Sequence, residues 1–248
     1  MEAFKSWFFL DDAVVCLGAG ITSADGARVE TIVDNRRTGA PLAVEPGWAH
    51  LEGHGGYLVP GSLRTLRERR GTRDYVTLWL DHGVDPRSAG YAYTLLPGAS
   101  RSETRARAAD PGWLRVMANS ARLQAVHVPS LRLTAANFWN AGAAGDLTAS
   151  APCAVLAREH GDGTATLSVA DPRCDLDELT VTWARPVAGL LSVDGRARTG
   201  LRWLRKLPLS APGSPLSGDA LLHGSTLTFH GLAEREGAPI TVTVRLSL

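Results

Sequence analysis

The chain has 248 residues, of which 44% are hydrophobic and 21% charged, and a formal net charge of +1. That length holds one large or two modest domains and buries a core without disulfide staples. The near-neutral balance excludes a strong field for nucleic acid or an anionic membrane, and no run approaches the 18 apolar residues of a membrane span.

The predicted elements follow a period of two. Val29 to Val33 reads as a strand, and Asn35, Arg36 and Arg37 follow it. Val76, Leu78 and Leu80 alternate with Tyr75, Thr77, Trp79 and Asp81. Residues 100–109 break the pattern. Ser100 and Glu103 fit a capping box, the next six residues favour helix, and Asp110-Pro111-Gly112 stops it. Alternation resumes at Ala165, Leu167 and Val169, at Leu179, Val181 and Trp183, and at Ile240, Val242, Val244, Leu246 and Leu248. Strict alternation places one face of each run on a core. Turn pairs such as Asp25-Gly26, Pro46-Gly47, Pro60-Gly61, Asp162-Gly163 and Asp194-Gly195 punctuate the runs. The expected fold is all-β: two antiparallel β-sandwich domains, residues 1–111 and 112–248, with one short connecting helix. Residues 211–218 read as a long loop in the second domain.

Candidate reactive groups are sparse. Cys16 and Cys153 sit in apolar runs and read as core, whereas Cys174, between Arg173 and Asp175, reads as near the surface. Their odd number and wide spacing give neither a disulfide framework nor a metal pattern, and bridging of two of the three stays open. Asp81-His82-Gly83 reads as a strand-end turn with a locally bonded imidazole. His50 and His54 are four apart, but Gly53, Gly55 and Gly56 exclude the helix that metal spacing needs. The acidic run from Asp171 to Glu178 lacks the full calcium-loop spacing and reads as a solvated turn. Most of the seven tryptophans read as core. Trp203, flanked by Arg202, Arg205 and Lys206, is the candidate for an exposed sugar-binding ring. Asn35, Arg36 and Arg37 are candidates for polymer contact, set against the plainer reading of a polar turn.

The opening block, Lys5-Ser6-Trp7-Phe8-Phe9-Leu10-Asp11-Asp12, is followed by Val14 to Ile21, by Trp48-Ala49-His50-Leu51-Glu52-Gly53, and by Leu78-Trp79-Leu80-Asp81-His82-Gly83. Tyr91-Ala92-Tyr93, Leu96-Pro97-Gly98, Leu133 to Trp139 and Leu167 to Pro172 come next in order. This series resembles the C-terminal β-sandwich portion of polysaccharide lyase family 8, the hyaluronate, chondroitin AC and xanthan lyases. The resemblance implies the end of a central supersandwich domain followed by a small C-terminal sandwich. It also implies an acidic polysaccharide as partner, an extracellular setting, and a catalytic Asn, His, Tyr and Arg carried by a helical domain. No stretch of this chain resembles that helical domain, so no catalytic residue is carried over and the domain itself becomes an expected partner. No signal peptide is recognisable at residues 1–12, and no cofactor or metal is expected. Substrate contact is assigned to Asn35, Arg36 and Trp203. The competing reading is a free-standing β-sandwich module that binds acidic polysaccharide. If the first sheet system lacks strands, it should expose an unpaired edge and an apolar patch.

Overall fold

The computed structural model describes residues 1–197 and 219–247. These fall into two compact units, Met1–Trp113 with Asn119–Ala121, and Leu114–Ala118 with Arg122–Leu248. Both are built from antiparallel strands, as the period-two patterning predicts.

The first unit contains β1 (Glu2–Phe9), β2 (Val14–Thr22), β3 (Arg28–Arg37), β4 (Leu42–Glu45), β5 (Trp48–Leu51), β6 (Gly55–Leu58), β7 (Leu63–Arg70), β8 (Arg73–Val84) and β9 (Ala89–Pro97), then α1 (Arg101–Ala108). Six strands form one sheet in the order β1-β2-β9-β6-β5-β4, and three form another in the order β3-β8-β7. Cys16, Tyr57 and Tyr93 of the larger sheet pack on Val33, Val76, Leu78 and Leu80 of the smaller one. Each buried aliphatic or aromatic side chain contributes about 1.5–3 kcal/mol to this packing.

The opposite face of the six-stranded sheet holds a smaller cluster of Ala13, Trp48, Leu58 and Leu96, with Ala99 and Trp113 against it. Helix α1 covers β5 and β6. Its start is fixed by the predicted capping box: Ser100 Oγ accepts from the Glu103 amide at 3.2 Å, and the Ser100 amide donates to Glu103 Oε2 at 2.7 Å. Thr104 is fully buried, and its hydroxyl donates to the Ser100 carbonyl at 2.8 Å. The helix approaches so closely because position 56 is glycine. A Cβ there would lie 2.1 Å from Thr104 Oγ1.

The second unit contains β10 (Arg115–Asn119), whose last residue clusters with the first unit, then β11 (Leu123–Val128), β12 (Leu133–Phe138), β13 (Gly142–Ala144), β14 (Leu147–Ala149), β15 (Cys153–Glu159), β16 (Thr164–Ala170), β17 (Glu178–Trp183), β18 (Val187–Val193), β19 (Arg196–Ala197), β20 (Asp219–His223), β21 (Thr226–His230) and β22 (Ile240–Leu246). Among the described residues they form an eight-stranded sheet, β10-β11-β12-β15-β16-β22-β18-β19, and a five-stranded one, β13-β14-β17-β21-β20. Leu167, Val169, Ile240 and Val242 of the first meet Leu179, Val181, Leu227 and Phe229 of the second in one core. The alternating residues of β16, β17 and β22 therefore face inward as the sequence indicates.

The acidic run after β16 differs from its expected form. Asp171 is 1% exposed rather than solvated. Its carboxylate accepts from the amides of Arg173 at 3.0 Å, Asp175 at 2.7 Å and Leu176 at 2.8 Å. It is the internal anchor of the turn, a local bonding mode in which aspartate closes its own backbone. Burial pushes this carboxyl's pKa up, but the amide donors outweigh it and hold the pKa below the usual value. Cys16 and Cys153 are buried and Cys174 is exposed, and all three are free.

Two outcomes follow from this packing. Gly56→Ala should force α1 away from β6 and lower stability by about 1–3 kcal/mol in urea denaturation. Asp171→Asn should cost about 2 kcal/mol at pH 7, because buried amides lose their acceptor. Since folding lowers the pKa of Asp171, its contribution is complete above the unfolded value of about 3.9 and disappears as pH falls through the folded value. The gap between wild type and Asp171→Asn should therefore close in strong acid, and a gap constant with pH would remove the carboxylate from this role.

Candidate functional site

The two predicted contact residues in the first unit lie within β3 and not after it. Strand β3 pairs with β8 along Asn35↔Thr77, Arg36↔Val76 and Arg37↔Tyr75, with a bulge between Ile32 and Asp34. The pairing carries the strand through the polar residues, whose sequence resembles a turn. Consecutive residues then point to opposite faces, so Asn35 and Arg36 do not share a surface.

Asn35 lies on the outer face, and its Nδ2 donates to Thr77 Oγ1 at 3.0 Å. Leu66 of β7 continues this row, and Ile32, Trp79 and Arg64 form the next. Ile32 is 50% and Leu66 46% exposed, with Trp79 half-buried. Trp79 was expected in the core. Alternation alone cannot tell which of two faces is buried when both carry large residues.

Arg36 lies on the inner side, at the rim of the layer between the sheets. Its Nε donates to Asp34 Oδ2 at 2.9 Å, and the same oxygen accepts from the Tyr57 hydroxyl of β6 at 2.5 Å. Asp34 thus ties the smaller sheet to the larger one. Its hydrogen bond and its charge raise the Arg36 pKa, and burial, with Asp34 adding to it, raises that of Tyr57. Arg36 is thus engaged by a structural carboxylate as well as half-exposed. Trp203 lies outside the described residues.

His82 lies within β8 and bonds across the sheet. Its Nε2 is 2.8 Å from Thr31 Oγ1 of β3, and its ring sits 6.1 Å from that of Tyr91. Tyr91 in turn stacks on Tyr93 at 5.6 Å and lies over Gly18, where a Cβ would collide with the ring at 2.1 Å. Burial, reinforced by the Lys5 charge and opposed by Asp81, lowers the pKa of His82, while burial pushes Tyr91 up to about 12. Desolvation thus favours the neutral form of both the imidazole and the phenol. Burial also pushes Cys16 up to about 11 and Cys153 to about 12, away from nucleophilic thiolate. His50 and His54 lie on and beside β5. The His50 ring bonds the Ala99 carbonyl at 3.1 Å, and the described residues contain no group of three or more ligating side chains for a metal.

Two surface features had no clear signal in the sequence. In β1, the first strand in the order of the six-stranded sheet, Trp7 is 52% and Phe9 77% exposed. By register they lie on the face of Cys16 and Val14, which the smaller sheet covers farther in. The second feature is a groove of about 1060 Å³ between α1 and the β4–β5 turn. It is lined by Glu45, Pro46, Trp48, Arg101, Ser102 and Arg105, among others. No helix among the described residues is long and apolar enough to cross a membrane.

Comparison with known proteins agrees with this architecture. The super-sandwich domain profile of polysaccharide lyase family 8 matches residues 1–70 and 59–108, and the family's C-terminal beta-sandwich domain profile matches residues 115–180. A hyaluronate lyase from Thermasporomyces composti is 48% identical over 231 residues, covering 78% of this chain and 30% of that protein. A xanthan lyase from Bacillus sp. strain GL1 is 32% identical over 262 residues, covering 86% of this chain and 28% of that protein. The structure of a Streptomyces coelicolor A3 chondroitin AC lyase in complex with chondroitin sulphate superimposes with a TM-score of 0.83 at 46% identity, over 99% of this chain and 33% of that one. The chain thus spans about a third of the length of these relatives. With two β-sandwich units whose strands match both domain profiles in order, the chain belongs to polysaccharide lyase family 8.

Proposed function

We propose that this chain is the β-domain portion of a secreted lyase that cleaves uronic-acid polysaccharides of the hyaluronate, chondroitin or xanthan type by β-elimination. In this reading residues 1–111 end the central domain and 112–248 form the C-terminal sandwich. The observation that carries it is the full-length superposition on a chondroitin AC lyase, in which 99% of this chain corresponds to only 33% of the enzyme.

Eliminative cleavage removes the C5 proton of a uronate and expels the oxygen at C4. It requires a group that neutralises the carboxylate, a base, and an acid for the leaving oxygen. No stretch of this chain resembles the helical domain that carries those groups in the family. We therefore assign the reactive groups to a helical domain outside this chain and a supporting role to the sheets described here. The exposed Trp7 and Phe9 of β1 suit a surface that packs against further polypeptide.

The purified 248-residue chain should release no unsaturated uronate from hyaluronate, chondroitin sulfate or xanthan, followed as ultraviolet absorbance over a long incubation. Sustained product formation that tracks the purified chain would overturn the supporting role.

A further inference from the structure

The groove between α1 and the β4–β5 turn has a charge arrangement that the fold alone does not explain. Arg101 and Arg105 are four residues apart, so both line the same wall, one turn above the other. Like charges at this spacing destabilise a helix by a few tenths of a kcal/mol. Arg105 lies in the last turn, where the helix dipole favours a cation, but Arg101 lies in the first turn, where it does not. Glu45, on the facing turn, approaches Arg101 only at 3.6 Å, with both side chains about half-exposed. Such a pair is worth about 0–1 kcal/mol and is readily displaced. Arg105 is exposed and has no carboxylate within 4.0 Å among the described residues.

The remaining surface has a different character. Pro46 and the largely buried Trp48 give the groove an apolar lining, and Ser102 adds a hydroxyl. A second depression of about 340 Å³ lies on the other side of the turn and shares Glu45, Pro46 and Trp48 with the first. Its further lining, Val44, Val59 and Leu63, is apolar. Two cations beside an apolar lining match a sugar ring bearing a carboxylate or sulfate. The guanidinium forks take the anion, and the ring's C–H face takes the apolar surface.

We propose that this groove is a binding site for the anionic groups of an acidic polysaccharide, with Arg101 and Arg105 as its ligands. It rests on the polymer class assigned under the proposed function but needs no catalysis by this chain. Glu45 occupies the site when it is empty and competes with the polymer for Arg101. The site would hold polymer on the β-portion of the enzyme.

Affinity electrophoresis of the full 248-residue chain tests this, with chondroitin sulfate, hyaluronate and neutral dextran cast in separate gels. Wild type should be retarded by the acidic polymers and not by dextran. Arg101→Gln with Arg105→Gln should weaken the apparent affinity about tenfold, and Glu45→Gln should strengthen it severalfold. Arg158→Gln with Arg245→Gln, a charge-matched change on exposed strands of the second unit, should leave retardation unchanged. Stronger retardation by chondroitin sulfate than by hyaluronate would identify sulfate as the preferred anion, and equal retardation the carboxylate. Three results would overturn the site: no retardation of wild type, equal retardation of wild type and the groove variant, or equal weakening by the two double variants. None of them bears on whether the chain releases unsaturated product, so the two readings fail separately.

Discussion

In the first unit a three-stranded sheet covers a six-stranded one through a shared apolar core, and the Asp34 carboxylate adds a polar tie between them. Asp34 receives the Tyr57 hydroxyl from the larger sheet while it holds Arg36 on its own strand. A smaller cover cannot reach every strand of the larger layer. The inner strand β2 is buried along nearly its whole length, whereas β1 at the edge leaves Trp7 and Phe9 in solvent. The same mismatch leaves the far side of the larger sheet to be protected by other means. Helix α1 does so over β5 and β6, at the distance that Gly56 permits. The groove exists because a helix and a hairpin turn, rather than another sheet, complete that face.

The second unit shows what a better-matched pair of sheets gives. Leu167, Val181, Leu227, Phe229 and Val242 are fully buried in one continuous core. Among the unit's buried polar residues, Asp171 is satisfied locally by three amides of its own turn. A buried carboxylate without such donors would be costly. With them it fixes the chain's exit from β16 toward β17.

Desolvation leads the titration behaviour of the first unit's interior: it lowers the pKa of His82 and raises those of Cys16, Tyr57, Tyr91 and Tyr93. Charge is left incompletely partnered at the surface, in Arg101 and Arg105, and there a polyanion has a physical reason to bind.

Particular elements show how far the sequence reaches. The capping box of Ser100 and Glu103, the alternation in β16, β17 and β22, and the buried states of Cys16 and Cys153 were all legible, because each depends on neighbours within a few residues or on a strand's own period. The order of short motifs also carried the family. Asn35 and Arg36 were placed after a strand because polar side chains resemble a turn, whereas pairing with β8 extends the strand through both. Asp171 was read as solvated because its acceptors' partners are backbone amides, which a sequence of side chains does not display. Trp7 was expected in a core, and only the width of the covering sheet decides that it is exposed. By itself the sequence determined the all-β class, where the helix starts and which kin the chain has. Tertiary structure alone decided which face of each strand is covered and which cations remain unpaired, since both depend on contacts between segments distant in the chain.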